Sequence, residues 1–240
     1  MTILFISDLH LEENRPDINQ VFFKFLTHEA KLAEALYILG DFFETWIGDD
    51  DLSDFHLSVI NALNNAVKSG LPIYIMQGNR DFLLGKKFMQ ASACTLLADE
   101  HLINLYGIPT LLMHGDTLCT ADIAYLKFRK KSRIWVYQKL FLLKSLEKRR
   151  AIATKMRAAS QAYTSTTPGH VMDVTQAEVE RVMKKHGVQH LIHGHTHRPA
   201  KHQFLLNGKP ASRTVLGPWH DHGSALVCGD KGNQKVIVLK

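Results

Sequence analysis

Five short runs of metal-ligand residue types, each placed where an apolar, strand-like run ends, constrain this chain more than anything else in it. They are Asp8-Leu9-His10, Gly40-Asp41, Gly78-Asn79-Arg80-Asp81, His114-Gly115-Asp116 and Gly194-His195-Thr196-His197. In open α/β sheets, ligand groups collect at the carboxyl ends of strands. Residues two apart in an extended segment point the same way. Asp8 with His10, and His195 with His197, are therefore expected to face one cleft. The mixture of carboxylate, amide and imidazole donors suits Mn, Fe, Zn or Co and disfavours an all-oxygen Mg or Ca cage. Together the runs supply enough ligands for two divalent ions side by side, an arrangement that activates water and clamps a phosphoryl group. Each run alone has a plainer reading: a surface polar pair, a turn, a hydrogen-bonded histidine, a loop histidine cluster. Their shared order and placement argue against five coincidences.

The periodicity around these runs predicts a layered α/β fold. Strands are expected at Thr2–Ile6, Leu36–Leu39, Pro72–Met76, Thr95–Ala98, His101–Tyr106, Thr110–Met113 and Val188–Ile192. Helices are expected at Asp17–Ala35, Leu52–Lys68 and Asp81–Ala91. Alternation of strand and helix implies parallel pairing. Asp122 to about Ser165 reads as helical throughout and as an insertion. Thr175-Gln-Ala-Glu178 has the pattern of a capping box opening a helix that closes at Gly187. Short strands follow at His202–Leu206, Arg213–Leu216, Ser224–Cys228 and Gln234–Leu239, with a hairpin turn at Asn207-Gly208. The whole predicts two packed sheets flanked by helices.

Charge is unevenly distributed. The chain of 240 residues carries a net charge of +6. Of its 29 Lys and Arg, 12 lie between Asp122 and Arg157 beside only two acids, leaving 17 bases and 21 acids elsewhere. In that segment large apolar residues (Ile134, Tyr137, Leu140, Phe141, Leu143) alternate with basic ones. Three readings compete: a helical lid packed on the main domain, a basic amphipathic surface against anionic lipid, and a nucleic-acid surface. Against the last, no aromatic platform or known nucleic-acid module accompanies the charges. No apolar run approaches the roughly 20 residues of a membrane span. The N-terminus lacks a basic segment and meets Asp8 early, so a cytoplasmic protein is expected. Cys94, Cys119 and Cys228 are an odd number without metal-type spacing and read as reduced thiols.

The five runs, spanning residues 8 to 197, resemble the signature of calcineurin-like metallophosphoesterases. The resemblance implies a double-sheet sandwich with outer helices, formed by residues 1–121 and 168–240, with 122–167 as a helical cap insertion. It implies that Asp8, His10, Asp41 and His197 hold one metal and that Asp41, Asn79, His114 and His195 hold the other. Glu44, Asp81 and Asp116 stand as partners orienting ligand histidines or as solvated loop acids.

One departure is informative. Relatives that cleave alcohol esters carry a histidine acid after the Asn79 position, and here that residue is Arg80. A guanidinium cannot usefully donate a proton but matches phosphate through two parallel hydrogen bonds. Either the scissile bond is a phosphoanhydride with Arg80 on a phosphoryl group, or Arg80 is a surface ion-pair partner.

Longer blocks narrow the match. Gly40–Asp50, Gly78–Gly85, His114–Cys119, Ile192–Pro199, Met172-Asp173-Val174 and Val215–Trp219 resemble the UDP-2,3-diacylglucosamine diphosphatases of lipid A biosynthesis. That family implies a peripheral enzyme on the cytoplasmic face of the bacterial inner membrane, usually Mn-dependent. Its members cleave an acylated UDP-sugar lipid at the α-phosphorus, with no obligatory protein partner. Asp41, Asn79, Arg80, His114 and His195 would be catalytic. Asn79, Arg80, Asp122, Tyr125, Arg157, Ser160 and His195 would contact the substrate. Thr164 and Thr167 stand where relatives often place lysine. A phosphoesterase acting on a soluble nucleotide or phosphodiester is the alternative, and a non-enzymatic scaffold is disfavoured because none of the seven ligands is missing.

Overall fold

Strands β1 (Thr2–Ile6), β2 (Ala35–Leu39) and β3 (Ile73–Met76) pair in parallel, because each is an apolar run returned to the same edge by a helix. The helices are α1 (Pro16–Thr27) and α2 (Asp54–Lys68), followed after β3 by α3 (Lys86–Ser92). The two-residue β4 (Thr95–Leu96) closes that edge. β5 (Glu100–Leu105) and β6 (Ile108–Met113) form a hairpin. Three helices follow: α4 (Ile123–Ser132), α5 (Trp135–Leu142) and α6 (Leu146–Thr166). Then come α7 (Gln176–His186), β7 (His190–His193), β8 (Ala200–Leu206), β9 (Lys209–Val215), β10 (Gly223–Gly229) and β11 (Gln234–Leu239). The computed structural model describes residues 2–169 and 171–240.

The six-stranded sheet runs β11-β10-β1-β2-β3-β4 and the five-stranded sheet β5-β6-β7-β9-β8. Their facing sides bury Phe5, Leu39, Met76, Leu112, Ile192 and Leu226 as one cluster. On the outer face of the first sheet, Phe22, Phe25, Val59, Leu63 and Phe88 of α1, α2 and α3 pack against Leu4, Ile6 and Ile38. On the outer face of the second, Val179, Val182 and Met183 of α7 cover Leu111 and Leu191. The two-sheet sandwich flanked by helices expected from the sequence is the architecture observed. All three cysteines are free and buried. At Asn207-Gly208 both φ angles are positive (53° and 74°), as a tight hairpin turn requires.

Four expectations need correction. The helix expected to reach Ala35 stops at Thr27, where the Thr27 hydroxyl and His28 Nδ1 bond back to the last carbonyls. Leu32, in phase with the apolar stripe of that longer helix, is therefore 88% exposed on a short 3-10 turn. The helix expected from Asp81 begins at Lys86, because Asp81 is consumed by Phe42 N (2.8 Å) and Gly78 N (2.7 Å). Asp49 supplies the cap instead, accepting from Lys87 N and Phe88 N. The segment after Asp122 is broken twice, at Arg133-Ile134 and Leu143–Ser145, with Asp122 and Ser145 capping new helices. The Thr175 capping box does not form: its hydroxyl bonds Thr120 Oγ1 (2.6 Å) and Leu118 O, and Glu178 pairs with Arg181. A capping motif is a local preference, and here tertiary partners outbid it.

Candidate metal centre

Each ligand-type side chain sits just beyond a strand: Asp8 and His10 after β1, Asp41 after β2, Asn79 after β3, His114 after β6, and His195 and His197 after β7. The backbone at Asp8, His10, His195 and His197 is not extended, contrary to what their spacing implies. Asp8, His10, Asp41, His195 and His197 all have positive φ, between 49° and 69°. These left-handed residues turn the chain sharply so that neighbouring side chains swing inward. Non-glycine residues hold such a conformation only where the surroundings over-determine it. The surroundings are backbone hydrogen bonds between the loops: Asp8 N to Gly40 O, His10 N to Asp41 O, Gly194 N to His114 O and Trp219 N to Asp8 O. Close approach also requires glycine at two points. A Cβ on Gly78 would lie 2.1 Å from Asp41 Oδ1, and one on Gly194 would lie 2.2 Å from Ser7 Oγ.

Two groups of donors result, Asp8-His10-His197 and Asp41-His114-His195, each with ligand atoms within 4.8 Å of one another. Asp41 lies between them, with Oδ2 3.8 Å from His10 Nε2 and Oδ1 3.7 Å from His114 Nε2. Asn79 Oδ1 adds to the second group, 3.0 Å from His114 Nε2 and 2.9 Å from His195 Nδ1. The rings are oriented from behind. His114 Nδ1 donates to Leu39 O (2.9 Å), and Glu44 Oε2 lies 2.9 Å from His10 Nδ1, a charge contact that lacks hydrogen-bond alignment. Asp8 Oδ2 accepts from Ser7 Oγ (2.6 Å) and His195 N (2.9 Å).

The remaining sequence candidates scatter around this cleft. Arg80 N donates to Asp41 Oδ1 (2.8 Å), while its Nε is buried without a partner. Asp122 accepts from Tyr125 N and Tyr163 Oη. Tyr125 hydrogen-bonds Asp116, and its ring lies 6.1 Å from that of His195. Arg157 pairs with Glu44. Ser160 is half-buried on α6. Thr164 is exposed in the last turn of α6, and Thr167 spends its hydroxyl on Tyr163 O (2.7 Å), so neither is drawn to the donor groups. Asp81 and Asp116 are buried, not solvated, but neither hydrogen-bonds a ligand-type histidine. Asp81 braces the loops of Asp41 and Asn79, and Asp116 takes Arg129 Nε (2.6 Å) and Tyr125. Sequence reading missed Ser7, Arg129 and His220, whose Nε2 lies 3.2 Å from His197 Nδ1. Only the Val215–Trp219 block, whose buried Trp219 donates its backbone N–H to Asp8 O, pointed toward His220.

The calcineurin-like phosphoesterase family model matches residues 1–199. This chain belongs to that family. Among its curated relatives, the UDP-2,3-diacylglucosamine hydrolase of Pseudomonas aeruginosa (strain UCBPP-PA14) is 50% identical over 239 residues, 98% of each chain. That of Enterobacter sp. (strain 638) is 52% identical over 232 residues, 97% of each. An archaeal phosphodiesterase of known structure shares the fold, with a TM-score of 0.51 at 14% identity over the full length of both chains.

Calcineurin-like phosphoesterases use divalent metals, and the donors here fit that requirement. Asp8 Oδ1 is fully buried and receives no hydrogen bond. Because His114 Nδ1 must carry a proton to reach Leu39 O, its Nε2 lone pair faces Asn79 Oδ1 at 3.0 Å, so a proton or a cation has to lie between them. Electrostatics agree. Burial opposes the charge of Asp8, yet His197, His114 and His10 hold it well below the usual carboxylate range. Burial likewise opposes charging of His114 and His10, but the acids raise both. Glu44 is lowered, against burial, by His10 and Arg157. Of these groups, His10 and His114 are the ones whose raised affinity for protons a divalent ion would compete with.

His193, next to the centre, behaves oppositely. Arg213 Nη1 donates to its Nε2 (3.0 Å) and its Nδ1 donates to Gly194 O (2.8 Å), committing the ring to one neutral tautomer. Burial and Arg213 push its pKa from 6.5 down to about 3. The unfolded chain therefore takes up a proton that the fold refuses. This contribution is complete above the ordinary histidine value and is lost as pH falls, by up to about 1.4 kcal/mol per pH unit. In urea titrations of metal-free protein, His193→Gln keeps both hydrogen-bond roles and should flatten the decline between about pH 6.5 and 5. Equal slopes in the two proteins would contradict the assignment.

Proposed function

We propose that this chain hydrolyses the pyrophosphate bond of UDP-2,3-diacylglucosamine, giving UMP and 2,3-diacylglucosamine 1-phosphate, a step of lipid A biosynthesis. The observation that carries the reading is identity near 50% over 98% of both chains with relatives named for that substrate. In this reading Asp8, His10, Asp41 and His197 hold one divalent ion and Asp41, Asn79, His114 and His195 the other, with manganese the expected metal. When bound, the pair would supply Lewis acidity toward water and the phosphoryl oxygens.

The chain's own residues do the rest. Asp41 stands between the two donor groups and fixes their spacing. Water adds to the α-phosphorus and the bond to the bridging oxygen breaks. The departing group is a phosphate monoester whose second pKa is about 6, so no protein acid is needed. Arg80, with its Nε buried and free, is placed to bind a phosphoryl oxygen as charge moves onto it. His195, Asn79, Tyr125 and Asp122 border the same cleft and would position the sugar phosphate. Ser160 and Arg157 would line the side formed by α6. Thr164 and Thr167 would offer only uncharged groups at its far end.

Residues 122–167 would be the cap over the acyl chains, and its lysines and arginines have separate tasks. All five arginines of the segment bond the core: Arg129 to Asp116 and Asp99, Arg133 to Gln77 Oε1 and Gly78 O (both 2.8 Å), Arg149 to Asp50 and Ile47 O, Arg150 to Asp51, and Arg157 to Glu44. Its seven lysines are exposed and have no carboxylate partner among the described residues. Between them α4 and α5 bury no residue, and Trp135 (61%), Leu140 (55%) and Leu143 (82%) are open to solvent. Lys139 lies over the Trp135 ring and Lys131 over that of Tyr137, and an apolar face ringed by lysines without carboxylate partners suits the anionic cytoplasmic face of a membrane, where the lipid substrate would reside. Among the described residues no helix is long and apolar enough to cross one.

Turnover of the diacylated substrate should greatly exceed that of UDP-glucosamine without acyl chains, and Arg80→Ala should lower the rate on a pyrophosphate far more than on an aryl phosphate ester. Equal turnover of the two sugars, or equal losses on the two bonds, would contradict the reading. Pelleting with anionic vesicles should weaken with salt, and Lys→Gln changes at Lys130, Lys131, Lys139 and Lys144 should each lower it about fivefold. Unchanged, salt-independent pelleting would remove the membrane surface from the account.

A further inference from the structure

Glu44 stands between helix α6 and His10, with one carboxylate oxygen toward each. Its backbone is fixed: Glu44 N donates to Leu11 O (3.1 Å), one residue past His10, and Leu11 N donates to Phe42 O (2.9 Å). From that position its two carboxylate oxygens diverge. Oε2 lies 2.9 Å from His10 Nδ1, behind the ring nitrogen that faces Asp41, and Oε1 takes Arg157 Nε of α6. The carboxylate is mostly shielded from water, at 15% side-chain exposure, so neither contact is a loose surface pair.

We propose that Glu44 is a positioning residue that couples docking of α6 to occupation of the metal site at His10. This rests on the reading of His10 as a ligand and goes beyond it. With Arg157 in place, the Glu44 side chain is held in the rotamer that supports His10. With α6 displaced, the carboxylate loses one of its two partners and is free to leave the ring. The converse follows because linkage is reciprocal: an ion that fixes His10 fixes Glu44, and Glu44 then offers Arg157 a better-ordered partner. Two other arginines of α6 provide an internal comparison. Arg149 and Arg150 dock the same helix onto the same loop through Asp50 and Asp51, neither of which touches a ligand-type residue. They contribute to docking without feeding the coupling. The functional consequence is that the helical segment seats more firmly on a chain whose metal site is loaded, so the acylated substrate is gripped better by competent molecules.

The test uses the full chain, with Mn2+ affinity measured by calorimetry and amide hydrogen exchange of residues 146–166 measured with and without Mn2+. In the wild type, Mn2+ should slow exchange along α6. Arg157→Ala should weaken Mn2+ binding about fivefold although Arg157 offers no ligand atom. Glu44→Gln, close in size, should weaken it about tenfold and abolish the Mn2+-dependent protection of α6. The double variant should bind no more weakly than Glu44→Gln alone, and Arg157→Lys should recover most of the loss. Arg150→Ala should loosen α6 yet leave the affinity within about twofold. Unchanged affinity in Arg157→Ala, additive losses, or an equal loss in Arg150→Ala would overturn the coupling while leaving the metal site intact. A wild type that binds no Mn2+ would overturn both together, so the two failures are distinguishable.

Discussion

The burial of two carboxylates, Asp8 and Asp41, against four imidazoles and an amide oxygen is the constraint on which the rest of this molecule depends. Such a gathering is unfavourable by itself. Lone pairs face each other at about 3 Å, and charged groups are withdrawn from water with incomplete partners. Only positive charge placed among them makes the arrangement coherent, whether protons in the free chain or divalent ions in the working one. The fold bears the cost through the interlocked loops at the strand ends, with left-handed backbone at five ligand-type residues and glycine where Asp41 and Asp8 press against neighbouring chain.

The helical segment after Asp122 solves a second problem with a division of labour between two cations. Arginine, planar and forked, is spent on the carboxylates and carbonyls of the core. Lysine, a hydrated point charge on a flexible stem, is left outside beside exposed Trp135, Leu140 and Leu143. The buried Arg149, bonded to Ile47 O, Lys144 O and Asp50, ties the segment to the loop that carries Asp41 and Glu44. The surface proposed to meet lipid is thus anchored within one loop of the proposed chemistry.

Much of this was legible in the sequence. Strand positions, the two-sheet architecture and the seven residues that the fold brings together could be read from apolar runs that end in Asp, Asn or His. What escaped were features that depend on partners distant in the chain. Extended geometry seemed enough to aim Asp8 with His10, yet the backbone is left-handed there, because hydrogen bonds to the Gly40-Asp41 loop dictate it. Thr175 carried a capping pattern, but Thr120 lay closer. Leu32 fitted a helical stripe that the chain had already left. The basic residues between Asp122 and Arg157 looked alike in sequence, and only docking sorts arginine from lysine. His220 had no signal beyond its place after a buried tryptophan.

The central claim is that Asp41 is shared between two divalent ions. Anomalous diffraction from crystals equilibrated with Mn2+ tests it most directly. The account predicts two peaks roughly 3.5–4 Å apart, as in other paired-metal sites, with Asp41 between them, Asp8, His10 and His197 around one and Asn79, His114 and His195 around the other. A single peak, or ions bound away from Asp41, would contradict it.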